Sequence, residues 1–178
     1  KAVLTRLRAD LPGICIVQHI PAYFSAAFAN HLNELCSLAV REARSGDVVE
    51  PGLVLVAPGG YHLVLKWRLS QYIVELSEAA RVHYQRPAVD VMFESALRAG
   101  AGPHCLALLL TGMGTDGAAG MLSLREAGAQ TIAQDEKTSL VFGMPRAAIE
   151  RGAAQKAVGL DQMAVEIERY ATRVAGKA

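Results

Sequence analysis

Leu106-Ala107-Leu108-Leu109-Leu110-Thr111-Gly112-Met113-Gly114-Thr115-Asp116-Gly117 is an apolar run that ends in a glycine-rich turn. Consecutive aliphatic residues of strand length, closed by turn residues, predict a strand buried on both faces. From about Ala118 to Ala127 the pattern is helical. A buried strand that passes through glycines into a helix is the unit from which open parallel α/β sheets are wound.

The flanking sequence repeats this alternation. Ile14-Cys15-Ile16-Val17 reads as a buried strand ending at Gln18-His19, and Leu53 to Ala57 as another, closed by Pro58-Gly59-Gly60. Phe24, Phe28, Leu32 and Leu35 recur at helical spacing, Val89 to Ala99 is helical, and residues 2–9 form an amphipathic stretch that predicts a helix. His62 to Lys66 and Tyr72 to Leu76 alternate and predict a hairpin. Thr131-Ile132-Ala133 is a short strand. Pro145 opens a helix that Gly152 closes, and Asp161 is expected to cap a last helix burying Met163, Ile167, Tyr170 and Val174. The expected fold is α/β: a doubly wound, mostly parallel β-sheet with helices on both faces and a β-hairpin insertion, in one domain over residues 1–178. Such an order should begin with a strand, so a first strand and its turn into a helix are expected upstream of Lys1.

Composition narrows the function. Hydrophobic residues make up 52% of the chain, enough for a sizeable core. Lys plus Arg is 18 and Asp plus Glu 17, a net charge of +1 that gives no general pull towards nucleic acid. The local pairs Arg6 with Arg8 and Arg41 with Arg44 read as solvated surface charge. Cys15, Cys36 and Cys105 are too few and scattered for a disulfide framework and are expected to be reduced, buried thiols, which fits the cytoplasm. No apolar run reaches the roughly 18 residues of a membrane span. His19, His31, His62, His83 and His104 show no zinc-site spacing, and no C-x-x-C is present, so neither metal nor cofactor is expected.

Two segments end a strand in reactive chemistry. His19 is either a histidine that closes a strand by hydrogen bonding or a general base titrating near neutral pH. Asp116 is either a helix N-cap or the carboxylate that orients a histidine. Both lie at the carboxyl edge of the expected sheet, where such folds build their sites. Met113 offers either a space-filling side chain or a backbone N–H for an oxyanion. The same turn also spells G-x-G-x-x-G at Gly112, Gly114 and Gly117, with Asp135 near the end of the next strand, which is the context of a dinucleotide fingerprint. Charge weighs against it. Asp116 and a phosphate about 5 Å apart would repel by about 3 kcal/mol at an effective dielectric of about 20. None of the eight serines (Ser25, Ser37, Ser45, Ser70, Ser77, Ser95, Ser123, Ser139) lies in a G-x-S-x-G turn. Cys15 and His19 on one strand would stand about 13 Å apart, too far for a dyad.

Gln18-His19-Ile20-Pro21 with Phe24, Phe28-Ala29 and Leu32-Asn33 resembles the histidine segment of the chemotaxis protein-glutamate methylesterases, the CheB family. Ala57 to His62, Arg86-Pro87-Ala88-Val89-Asp90, Leu110 to Ala118 and Val141 to Pro145 continue the likeness in family order over nearly the whole chain. The resemblance implies the family's doubly wound fold, with His19 as general base, Asp116 as its orienting carboxylate, the Met113 N–H in the oxyanion hole and Arg86 at the substrate. It places the nucleophile on a serine in a turn after a first strand, upstream of this sequence. The implied substrates are glutamyl methyl esters on the cytoplasmic helices of methylated chemotaxis receptors, with deamidation of receptor glutamines as a second activity. Members often carry a phosphorylatable receiver domain, which nothing here resembles. Gln85 and Ala88 stand where the family commonly has His and Ser. Two rivals remain: a dinucleotide-binding enzyme, and a non-catalytic relative that binds receptors.

Overall fold

The computed structural model describes residues 1–176. The elements, in chain order, are β1 (Ile14–Ile16), α1 (Ala22–Leu35), β2 (Ala39–Glu42), β3 (Leu53–Val56), β4 (His62–Arg68), β5 (Gln71–Ser77), α2 (Val89–Arg98), β6 (Leu106–Leu109), α3 (Ala118–Glu126), β7 (Gln130–Gln134), α4 (Met144–Glu150), β8 (Lys156–Val158) and α5 (Leu160–Ala175). The parallel strands form two three-stranded sheets, ordered β1-β3-β2 and β6-β7-β8, and β4 pairs antiparallel with β5. Parallel pairing, helical cover and hairpin agree with the expectation. The single continuous sheet is replaced by two pieces, and β2 and β8 are additional strands.

Side-chain alternation along the strands builds two cores shared by both sheets. Leu53, Leu55, Ala107, Leu109 and Ala133 enter one core with α2, α3, α4 and the hairpin residues Leu63 and Val74. Val54, Val56 and Ile132 enter the other, with Ala29 and Leu32 of α1 and Met163, Ala164 and Ala171 of α5. The period of two sends successive residues to opposite layers. Helices therefore cover both faces, the doubly wound arrangement. Cys15 and Val17 pack on the first core, and Ile14, Ile16, Leu106 and Leu108 on the second, so β1 and β6 contribute to the same two layers. Neither pairs with a second strand among the described residues. Residues of β1 are only half-buried, whereas β3, between two partners, is buried throughout.

Several local expectations shift. Residues 2–9 make a single 3-10 turn at Leu4–Arg6, although Val3, Leu4, Leu7 and Leu11 are buried. The buried stripe of α1 runs through Ser25, Ala29 and Leu32, at i, i+4 and i+7, which rotates Phe24 and Leu35 into solvent. Asp161 is not the cap of α5. Gly159 holds the N-cap position and Thr138 Oγ1 accepts the Leu160 N–H at 3.0 Å. Val174 is exposed, one residue before the end of that helix. The three cysteines are free and half-buried as residues. Burial pushes the Cys15 thiol up to about 12 and Cys105 to about 11, so neither supplies a thiolate at neutral pH.

The turn before α3 depends on one glycine. Gly117 has φ +87°, and a Cβ there would lie 2.6 Å from Val89 Cγ1 and 2.7 Å from Leu109 Cδ1. Gly114 has φ +92° with open space around it. Gly117→Ala should cost about 3 kcal/mol, from left-handed strain plus overpacking, and Gly114→Ala about 1 kcal/mol from strain alone. Urea unfolding of the two variants checks this, and equal losses would show that core contact at Gly117 is not the constraint.

Candidate active site

Beyond the carboxyl ends of β1 and β6 the chain runs into the two segments that carry His19 and residues 111–117. From β1 the chain passes through Val17-Gln18 to His19, where the Ile20 N–H bonding to the Gln18 carbonyl turns it towards α1. From β6 it passes into residues 111–117. Gly112 is pinned there: its N–H donates to the Val141 carbonyl at 3.0 Å, and its carbonyl accepts from Gly143 and Met144. The Met113 amide takes no part in those bonds, and the Met113 side chain is 85% exposed, so it fills no core space.

The two segments meet. His19 Nε2 lies 2.8 Å from Asp116 Oδ2, with the imidazole mostly shielded and the carboxylate 2% exposed. The same Oδ2 accepts the Val89 N–H at 2.7 Å, and Oδ1 accepts the Asp90 N–H at 2.9 Å. Asp116 is thus not the side-chain cap of the helix it precedes. It caps α2, the neighbouring helix, whose first amides point at it. Burial by itself pushes the Asp116 carboxyl up. The hydrogen bond from His19 and the Asp90 and Val89 amides outweigh it and hold the group below the usual carboxylate value. An ionised Asp116 accepts only, so Nε2 of His19 is the donor and Nδ1 is the ring nitrogen that takes a proton.

Residues the sequence reading left aside shape the surroundings. Ser25 is buried; its Oγ accepts the Gly59 N–H at 3.0 Å and holds the 58–61 loop against the start of α1. His62 is fully buried, with Nε2 donating to the Ala80 carbonyl at 3.0 Å and Nδ1 accepting the Ala88 N–H at 3.2 Å. A buried polar residue opening an alternating strand was the available signal for His62. Arg86 points into its own loop: Nη1 donates to the carbonyls of Glu78 and Ala79, and Nε is buried without a partner.

Zinc-site spacing also overlooked a cluster. The ligand atoms of His83, Asp90 and Asp116 lie within 4.8 Å of one another. Their oxygens are already engaged by nitrogen donors: His83 Nε2 and the Gly120 N–H on Asp90, and His19, Val89 and Asp90 on Asp116. The donor set is that of a hydrogen-bond network, and a cation would have to displace His19 or His83 to enter it. The same bonds oppose a dinucleotide at Gly112, Gly114 and Gly117, because Gly120, an amide in the first turn of α3, already binds a carboxylate. Among the described residues no helix is long and apolar enough to cross a membrane.

A family model described as CheB methylesterase matches residues 1–167. A protein-glutamate methylesterase/protein-glutamine glutaminase of Xanthomonas oryzae is 56% identical over 165 residues, covering 93% of this chain and 47% of the relative. A namesake from Syntrophus aciditrophicus is 50% identical over 169 residues, covering 95% and 49%. The crystal structure of the Thermotoga maritima CheB methylesterase catalytic domain matches with a TM-score of 0.90 at 33% identity, over 94% of this chain and 89% of that one. The chain spans about half the length of the curated relatives it matches.

A carboxyl group held below its ordinary value favours the folded state while ionised. That stabilisation is complete above the unfolded value, near about 4, and is lost as pH falls through the lower, folded value. Asp116→Asn should therefore cost about 3 kcal/mol at pH 7, and the gap to the parent should shrink towards pH 2. Urea unfolding at both pH values checks it.

Proposed function

The chain belongs to the CheB methylesterase family, and on that premise we propose that its site hydrolyses glutamyl methyl esters on the cytoplasmic helices of chemotaxis receptors, and deamidates receptor glutamines by the same route. The observation that carries the proposal is the 2.8 Å contact between His19 Nε2 and Asp116 Oδ2 beyond the carboxyl ends of β1 and β6. A further parallel strand along the free edges of β1 and β6 would end between His19 and residues 111–117. We assign the nucleophile to a serine in the turn that leaves such a strand.

In this scheme the serine hydroxyl attacks the ester carbonyl while Nδ1 of His19 takes its proton. Asp116 stabilises the imidazolium and keeps the ring oriented. The oxyanion that forms is met by the Met113 N–H, which takes no part in the backbone bonds that pin Gly112. The imidazolium then protonates the departing methoxide, and methanol leaves. Water attacks the acyl-enzyme, His19 takes a proton from it, and collapse of the second tetrahedral adduct releases the glutamate carboxylate and restores the serine. A glutamine would follow the same path with ammonia as leaving group. Arg86 is proposed to act at the rim, through the loop it braces next to α2. The Cys15 and Cys105 thiols and the described serines have no part in the chemistry.

In the full-length protein that supplies the serine, His19→Gln and Asp116→Asn should each lower kcat for methanol release from methylated receptor by about 10⁴-fold. Gas-chromatographic methanol assays on the purified variants measure this. Full activity in His19→Gln would overturn the assignment.

A further inference from the structure

A second imidazole–carboxylate pair stands behind the first. His83 Nε2 is 2.8 Å from Asp90 Oδ2, and the Asp90 side chain is 7% exposed. Asp90 Oδ1 accepts the Gly120 N–H of α3 at 2.8 Å. The two aspartates cap each other's helices. Asp116, just before α3, receives the first two amides of α2; Asp90, in the first turn of α2, receives an amide of α3. The Asp90 backbone N–H is itself one of the donors on Asp116. Any rotation of the α2 N-terminus that follows the Asp90 side chain must therefore move the carboxylate on which His19 rests.

His83 reaches Asp90 from an unusual backbone. Val82 and Gln85 exchange backbone hydrogen bonds at 2.9 and 3.1 Å around a two-residue turn. Both residues of that turn, His83 and Tyr84, are left-handed at φ 50° and 62°. Side-chain-bearing residues rarely adopt that conformation, and a fold holds it where a contact depends on it. Its product here is an imidazole laid against a buried carboxylate. Two buried carboxylates this close also repel when both are ionised, and a hydrogen bond from imidazole to each offsets that repulsion.

We propose that Asp90 and His83 are positioning residues for His19: Asp90 locks the α2 and α3 N-termini that grip Asp116, and His83 holds the Asp90 carboxylate in the orientation that does so. The proposal rests on the hydrolase reading for its purpose, but the coupling it describes is a property of this chain and is tested without turnover. The readout is the downfield nuclear magnetic resonance of the His19 Nε2 proton and its exchange with water, with Asp116→Asn as the variant that must abolish the signal. His83→Ala and Asp90→Asn should each broaden or shift that resonance and speed its exchange by about tenfold. His83→Gln, whose amide also donates to Asp90, should restore it. In the full-length protein His83→Ala should lower kcat by about tenfold with little change in KM, a misalignment effect rather than lost binding. His83 lies on an exposed turn, so its variants report even where Asp90→Asn unfolds. An unchanged His19 resonance in His83→Ala, beside its loss in Asp116→Asn, overturns the proposal. An intact resonance pattern with no methanol release from the full-length protein would count against the hydrolase reading alone.

Discussion

One carboxylate holds the site together. Asp116 is removed from water, and a buried ionised oxygen is costly unless donors surround it. Three donors do so, from two places: the imidazole after β1 and two amides at the start of α2. The residue itself sits between β6 and α3. A single side chain thereby ties both sheet pieces to the helical layer on one face. The geometry of the pair is inseparable from the packing, because the backbone that solvates Asp116 also carries Val89 into the core beside Leu109 and Gly117. This explains how His19, on a short connection at a half-buried strand, is held in a fixed orientation.

The architecture sets where the reactive groups fall. All strands of both sheets run parallel, so the loops that follow them collect at one edge. The carboxyl ends of β1 and β6 deliver His19 and the 111–117 turn to one place, where His19 meets Asp116. The alternate apolar residues of the two strands are divided between the same two cores.

What the sequence disclosed depended on whether a signal was local. β3 and β6 are apolar on both faces and were legible at once, as was the hairpin from its alternation. β2 carries Arg41 and Glu42, and β8 begins at Lys156; each is an outer strand whose exposed side tolerates charge, so neither shows an apolar run. The α1 stripe was misplaced because Ala29 and Ser25, small residues in close contact, are quieter signals than Phe24. His19 and Asp116 were legible as strand-end chemistry and by resemblance, and their contact is a fact of tertiary structure, 97 residues apart in sequence. The His83–Asp90 pair escaped because the segment joining them starts in a left-handed turn that spacing rules do not describe.

The same glycine turn supported two incompatible sequence readings, and electrostatics separates them. A helix N-terminus presents unpaired amides and the positive end of the helix dipole, which suit an anion. In a dinucleotide site that anion comes from the ligand. Here the protein supplies its own: Asp90 takes an amide of α3, and Asp116 takes the first amides of α2. With amides of both helix termini already bound to side-chain carboxylates, a pyrophosphate approaching the turn would meet two buried carboxylates. The attraction that would have bound a phosphate instead stabilises Asp116 in its ionised form. The glycines then serve a different end, bringing β6, α2 and α3 close enough for the exchange of caps to be made.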